Sequence, residues 1–124
     1  MVVLLGIEED DEEEDAVWLV KKILSLRIFA DRNGAMNLSV DDISGEVMVV
    51  SQFTLHASTR KGNRPSFIRA ARPEKAIALY NFFLKQLQKI SERDVKGGEF
   101  GAHMKIELVN DGPVTIIIDS KLRE

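Results

Sequence analysis

Glu46-Val47-Met48-Val49-Val50-Ser51-Gln52-Phe53-Thr54-Leu55 is the stretch that decides how this chain folds. Val47 to Val50 is an apolar run rich in β-branched residues, which suit a pleated, half-buried surface. The run alternates into Ser51, Phe53 and Leu55 on one face and Gln52 and Thr54 on the other, which predicts a strand over residues 46–55. Toward the N-terminus, Ser44-Gly45 and Asp31-Arg32-Asn33-Gly34 read as turns, with short strand candidates around Ala35 to Val40 between them. Further back, Ala16, Leu19, Val20, Ile23 and Leu24 recur at helical spacing, so an amphipathic helix is expected from near Asp11 through Leu26. Val2 to Ile7 reads as a buried strand, in which Gly6 marks a bend or a close packing contact.

Toward the C-terminus, His56 to Arg72 has no periodicity and many basic residues, and reads as a long loop with at most one helical turn. Pro73 suits the first position of a helix, because its missing N–H costs nothing there. Ala76, Ile77, Tyr80, Phe83, Leu84, Leu87 and Ile90 form the apolar stripe of that helix, expected to end near Glu92. Lys96-Gly97-Gly98 closes the next connection. Ala102 to Val109 alternates, with Met104, Ile106 and Leu108 sharing a face, and Val114 to Ile118 is expected to be the last strand. The order of strand, helix, strands, helix, strands lacks strict βαβ alternation and indicates an α+β sheet covered by two helices. At 124 residues the chain is expected to form one domain over 1–124 around one core.

Composition narrows the functional classes. The chain has no cysteine, which rules out disulfides, thiolate zinc sites and a cysteine nucleophile. No segment approaches the roughly 20 apolar residues of a membrane span, and the apolar start runs straight into acids without a basic lead, so a cytoplasmic location is expected. The formal charge of −3 argues against bulk attraction to nucleic acid, but its distribution is uneven. Eight consecutive acids span Glu8 to Asp15; successive carboxylates on a helix diverge, so they read as a solvated helix start and not a metal site. Arg60, Lys61, Arg64, Arg69, Arg72 and Lys75 are interrupted only by Glu74, and form a basic patch of the kind that contacts phosphates without reading bases.

Two segments carry the candidate chemistry. Ser51 to Leu55 sets hydroxyls and backbone amides at a strand end, where amides can supply an oxyanion hole. Ser51 and Thr54 are conceivable nucleophiles, but the nearest base in sequence is His56. Asn110-Asp111-Gly112-Pro113-Val114-Thr115 puts a glycine and a rigid proline in a turn between two predicted strands. The two isolated histidines, His56 and His103, have no zinc-ligand spacing. Trp18 and Tyr80 sit in or beside helical stripes, as packing residues do.

Ser51 to Leu55, Lys61-Gly62-Asn63-Arg64-Pro65-Ser66-Phe67, Phe100-Gly101-Ala102-His103-Met104 and Asn110 to Thr115, in this order, resemble the motifs of D-aminoacyl-tRNA deacylases. The resemblance runs from Val2 to about Asp119. It implies a mainly antiparallel twisted sheet or partial barrel, and hydrolysis of the ester joining a D-amino acid, or glycine, to the tRNA 3′ adenosine. Such an activity serves chiral proofreading in translation and uses no cofactor or metal. By the same resemblance Ser51, Gln52, Phe53 and Thr54 form the catalytic segment, with amides near Gln52 and Phe53 as oxyanion donors. Gly112 and Pro113 would be joined by a cis bond and enter the site of a second copy in a homodimer. Their carbonyls would hold the substrate amino group and exclude an L side chain. Phe100, Gly101 and Ala102 would line the pocket, while Lys61, Arg64, Ser66 and Phe67 would flank the tRNA 3′ end. Lacking a side-chain base, the reaction would relay its proton through the tRNA 2′-hydroxyl.

The family also begins with an additional strand and hairpin, so this chain is expected to start at the next strand. A protein this short would leave one sheet edge open and would lack the arginine that, by the same resemblance, braces the Gly-Pro. The competing expectation from a different class is a catalytically impaired tRNA- or protein-binding module on the same scaffold, distinguished by turnover.

Overall fold

The computed structural model describes residues 1–123. β1 (Val2–Leu5) is followed by α1 (Glu13–Ser25), the short strands β2 (Phe29–Ala30) and β3 (Met36–Leu38), and β4 (Val47–Ser51). A 3-10 turn over Phe53–His56, α2 (Pro73–Ile90) and β5 (Val95–Gly97) complete the regular elements. The main sheet has the order β1-β4-β5 and is parallel throughout, with Val3 opposite Val49 and Val47 opposite Val95. The β2–β3 ribbon is antiparallel, as are two isolated bridges, Glu8 with Ala70 and Ser58 with Ser66. The architecture is α+β with two helices as expected, but the mainly antiparallel sheet is corrected to a parallel one. The reason is connectivity: each interval between sheet strands contains a helix long enough to carry the chain back across the sheet, as a parallel pair requires. β5 was hidden by its brevity and its two flanking glycines.

α1 begins two residues later than its acids suggested. The Asp15 carboxylate accepts the Glu12 N–H at 2.9 Å and so fixes the first turn there. Asp11 instead accepts the Glu8 N–H at 2.8 Å, which holds the chain in a turn ahead of the helix. α2 starts at Pro73 as expected and ends where Ser91 N–H meets Leu87 O at 2.7 Å. Val3 and Leu5 of β1 and Val47 and Val49 of β4 face the same side as Ala16, Val20, Ile23, Tyr80, Phe83 and Leu87, and these make the core. Tyr80 is buried there with its hydroxyl donating to Val49 O at 2.9 Å, which satisfies the polar tip. The opposite face of the sheet shows Val2, Leu4 and Met48 to solvent.

Three strand expectations are corrected. Residues 52–55 leave the strand, because Gln52 N–H closes on Leu5 O at 2.7 Å and the chain then turns, leaving Phe53 and Leu55 each 56% exposed. Ala102 to Val109 and Val114 to Ile118 form no ladder with any described residue. The face of Met104, Ile106 and Leu108 is only partly covered by the described residues, with Ile106 and Leu108 38% and 54% exposed. No described helix is long and apolar enough to cross a membrane.

Candidate active site at the end of β4

β4 delivers Ser51 to the rim of the sheet, opposite Leu5 of β1. Gln52 N–H is committed to Leu5 O, and Leu55 N–H and Ala57 N–H close the 3-10 turn on Gln52 O at 3.2 Å and Thr54 O at 3.1 Å. The N–H groups of Phe53 and Thr54, the first two of this turn, have no acceptor among the described residues, as the opening of a helical turn leaves them. The free donors are thus displaced by one residue from those expected, since Gln52 is spent on the sheet. The Gln52 side-chain amide donates to Thr54 Oγ1, which fixes the hydroxyl but gives it no base.

His56 makes no hydrogen bond to that hydroxyl. Its Nδ1 lies 3.1 Å from Glu8 Oε1, and its Nε2 is buried without a hydrogen-bond partner. Gly6 makes room for it: a Cβ there would lie 2.9 Å from Nε2 and 3.1 Å from Leu55 Cβ. The glycine in the first strand therefore marks close packing and not a bend.

The basic loop folds back beside the turn. Ser58 and Ser66 exchange backbone hydrogen bonds of 2.8 and 2.9 Å, pinching residues 58–66 into a finger with Gly62 at positive φ (68°). The Phe67 ring meets Phe53 edge to face at 5.0 Å, joining the loop to the turn. An open cleft of about 450 Å³ lies between Ala57, Ser58, Thr59, Arg60 and Arg69. The basic patch is divided. Arg69 binds Glu8, Lys75 binds Glu12 at 3.7 Å, and the Arg72 N–H donates to Glu9 at 3.0 Å. Arg60, Lys61 and Arg64 are exposed and have no ion-pair partner among the described residues. The acidic run is therefore no idle solvated face: it pairs with the Arg69 and Lys75 side chains and takes the Arg72 backbone N–H, while the Arg72 guanidinium has no ion-pair partner among the described residues.

Gly112 and Pro113 stand apart. They are joined by a cis bond, and both are exposed. Gly112 has φ 143°, a conformation that suits glycine, and an added Cβ would lie 3.0 Å from Val114 Cγ2. Asn110 holds the loop from within: its Oδ1 accepts Val114 N–H at 2.9 Å and its Nδ2 donates to Thr115 Oγ1 at 3.0 Å. No hydrogen bond among the described residues joins this loop to Ser51–His56. Phe100 leans on Tyr80 at 5.8 Å, toward the helices, while Gly101, at φ 78°, and Ala102 are exposed.

Beyond Asp119 the chain returns to α1. Lys121 Nζ and Arg123 Nη2 reach Asp15 at 2.7 and 3.2 Å, and Arg123 stacks on Trp18 at 5.0 Å. Burial pushes the Asp15 carboxyl up, but hydrogen bonds from Lys121, the Glu12 amide and Arg123 outweigh it and bring the pKa down to about 2. Burial leads at Asp11, whose pKa is raised.

Sequence reading missed the Glu8–His56–Arg69 cluster and the Asn110 bracket as such. Gly6 was the one local signal of the first. Asn three residues before Pro, with Thr two residues after it, was the signal of the second.

The family model described as D-Tyr-tRNA(Tyr) deacylase matches residues 1–119. A D-aminoacyl-tRNA deacylase of Akkermansia muciniphila is 63% identical over the whole of this chain and 83% of its own length, and one of Bacteroides fragilis is 60% identical over the same shares. A solved structure described as c-Myc DNA Unwinding Element Binding Protein superposes with a TM-score of 0.86 at 45% identity, covering 93% of this chain and 78% of its own. A probable eukaryotic D-amino acid tRNA deacylase shares the fold, with a TM-score of 0.64 at 18% identity. A family match over nearly the full length, joined to relatives this similar, means that the chain belongs to the D-Tyr-tRNA(Tyr) deacylase family.

Proposed function

We propose that this chain is a single-domain esterase that removes D-amino acids from tRNA in the cytoplasm, working as a homodimer without metal or organic cofactor. The observation that carries this reading is the pair of unpartnered amides at Phe53 and Thr54, opening a turn whose other amides are all engaged. Two fixed N–H donors at one point suit the oxyanion of a tetrahedral ester intermediate, because they need no reorganisation as charge develops. Arg60, Lys61 and Arg64 hold the RNA backbone beside this turn, and Phe67, edge-on to Phe53, offers a flank for the terminal adenine. Ser66 closes the finger that presents them.

The amino group of the substrate is held by the carbonyls of Gly112 and Pro113 from a second copy. Two observations support an intermolecular arrangement. The loop has no hydrogen bond to the turn of its own chain. Leu4, Met48, Leu108, Val109, Ile116 and Ile117 leave an apolar surface on the sheet and the segment carrying the loop, which a second copy covers. Such carbonyls read the chirality of the α carbon and little of the side chain. Thr54, with no base against it, positions rather than attacks, and the proton passes through the 2′-hydroxyl of the RNA.

The test incubates D-tyrosyl-tRNA and L-tyrosyl-tRNA separately with the protein, with and without chelator, and follows ester loss. Selective loss of the D ester, unchanged by chelator and retained in Thr54→Ala, is expected. Binding without turnover would convert the assignment into a silent RNA-binding module. Collapse of rate in Thr54→Ala would restore a nucleophilic threonine.

A further inference from the structure

We propose that His56, held by Glu8, is a positioning residue of the hydrolytic turn: the Glu8 carboxylate fixes the imidazole through Nδ1, and the imidazole fixes the amides of Phe53 and Thr54. This rests on the esterase reading above and goes beyond it. Nδ1 lies at ion-pair distance, 3.1 Å, from Glu8 Oε1, and a carboxylate only accepts, so this approach is favourable only with a hydrogen on Nδ1. Nε2 faces a dry wall at Gly6 with no partner and no room for substrate, which leaves His56 no path to act as a base. A buried nitrogen without a partner is unfavourable, and the ring keeps this orientation because Glu8 rewards the other edge.

The cluster joins three parts of the chain that are far apart in sequence. Glu8 continues the strand line of β1 and bridges to Ala70, His56 ends the 3-10 turn, and Arg69 from the basic loop binds the same carboxylate oxygen. His56 thus ties the free end of a four-residue turn whose other end is tied by Gln52 N–H to Leu5 O. With both ends fixed, the two amides between them have one orientation. Released at His56, the turn pivots about Gln52 and its donors lose their common focus, an effect on the transition state more than on RNA binding.

The test uses the geometry of the two ring nitrogens. In His56→Asn the side-chain amide overlays Nδ1 and keeps a donor to Glu8, whereas in His56→Gln it overlays Nε2 and meets Gly6. The Asn variant is expected within about 3-fold of the parent in kcat, and the Gln variant about 10- to 100-fold lower with KM unchanged, as for the loss of a polar contact to a carboxylate. Gly6→Ala pushes on the ring from the other side and is expected to lower kcat in the same way; circular dichroism and Tm monitor its fold. Nitrogen NMR of the parent protein supplies a readout independent of activity, with the hydrogen expected on Nδ1. Equal kcat in the Asn and Gln variants, a change confined to KM, or a hydrogen on Nε2 overturns the positioning role. If the parent itself leaves D-tyrosyl-tRNA intact while the NMR result holds, the esterase reading fails and the Glu8–His56 geometry stands.

Discussion

The two halves of the proposed site are built in opposite ways. The turn after β4 is held by contacts from distant parts of the chain: Leu5 takes the Gln52 amide, Glu8 takes His56, and Phe67 lies on Phe53. Among the described residues the Gly112-Pro113 loop takes side-chain hydrogen bonds from Asn110 only, and these span no more than five residues. A group that stabilises developing charge must not move, so its supports come from the core. A group that enters another molecule must keep its own shape while free of its own core, so its supports travel with it. The difference is the one that the proposed completion of the site by a second copy requires.

The contrast breaks most readily at Gly112. Gly112→Ala places a Cβ at φ 143° and 3.0 Å from Val114 Cγ2. The strain at such a position is expected to distort the loop and lower kcat/KM for D-tyrosyl-tRNA by about 10- to 100-fold. Discrimination against the L ester falls with it. Because the loop is exposed and locally held, Tm should stay within a few degrees of the parent; a large drop in Tm would mean that the loop belongs to the cooperative core. A smaller effect tests the side of the site that meets RNA. Replacing Arg60, Lys61 and Arg64 together by Ala removes the unpaired cations of the finger, and KM is expected to rise on the order of tenfold with kcat unchanged. The slope of log KM against log salt should flatten by about 2, since each lost phosphate contact to single-stranded RNA removes about 0.7. An unchanged salt slope places the RNA elsewhere.

The sequence was legible where one element explains itself. α2 needs only Pro73 and its stripe, and β1 and β4 announce themselves by β-branched runs. The direction of the sheet was not legible, because it depends on β5, a three-residue strand whose place is set by α2 and not by its own pattern. Ala102 to Val109 and Val114 to Ile118 show the converse, since their alternation reports an apolar face but not the identity of what pairs with it. At the site, both motifs could be read from their residue types. What the pattern hid was the commitment of each backbone group, so the free donors fall at Phe53 and Thr54 and not at Gln52. Likewise, a long basic patch reads as uniform until Glu8, Glu9 and Glu12 fold against one end of it.

The smallest effect concerns the anchor behind the Gly112-Pro113 segment. Although the loop is free of the core, the chain that follows it is tied to α1 through Lys121 and Arg123 on Asp15. Asp15 has its pKa lowered from 3.8 to about 2, so the folded state binds its proton less readily than the unfolded one. The stabilisation is therefore fully present above about pH 5 and is lost as pH falls through 4 toward 2. The shift corresponds to roughly 2 to 3 kcal/mol before screening, and solvent around the two partially exposed cations brings it toward about 1. Asp15→Asn should lower stability at pH 7 by about that amount and flatten its pH dependence between 4 and 2, read from urea unfolding. Because Asp15 also accepts the Glu12 N–H, Lys121→Met combined with Arg123→Met separates the two roles by removing the anchor and sparing the first turn of α1. Hydrogen exchange near Asp119 should then rise while the amides of α1 remain protected. Equal loss of protection at both places would mean that the anchor and the helix form one cooperative unit. The Gly-Pro segment would then be less independent of the core than its own hydrogen bonds suggest.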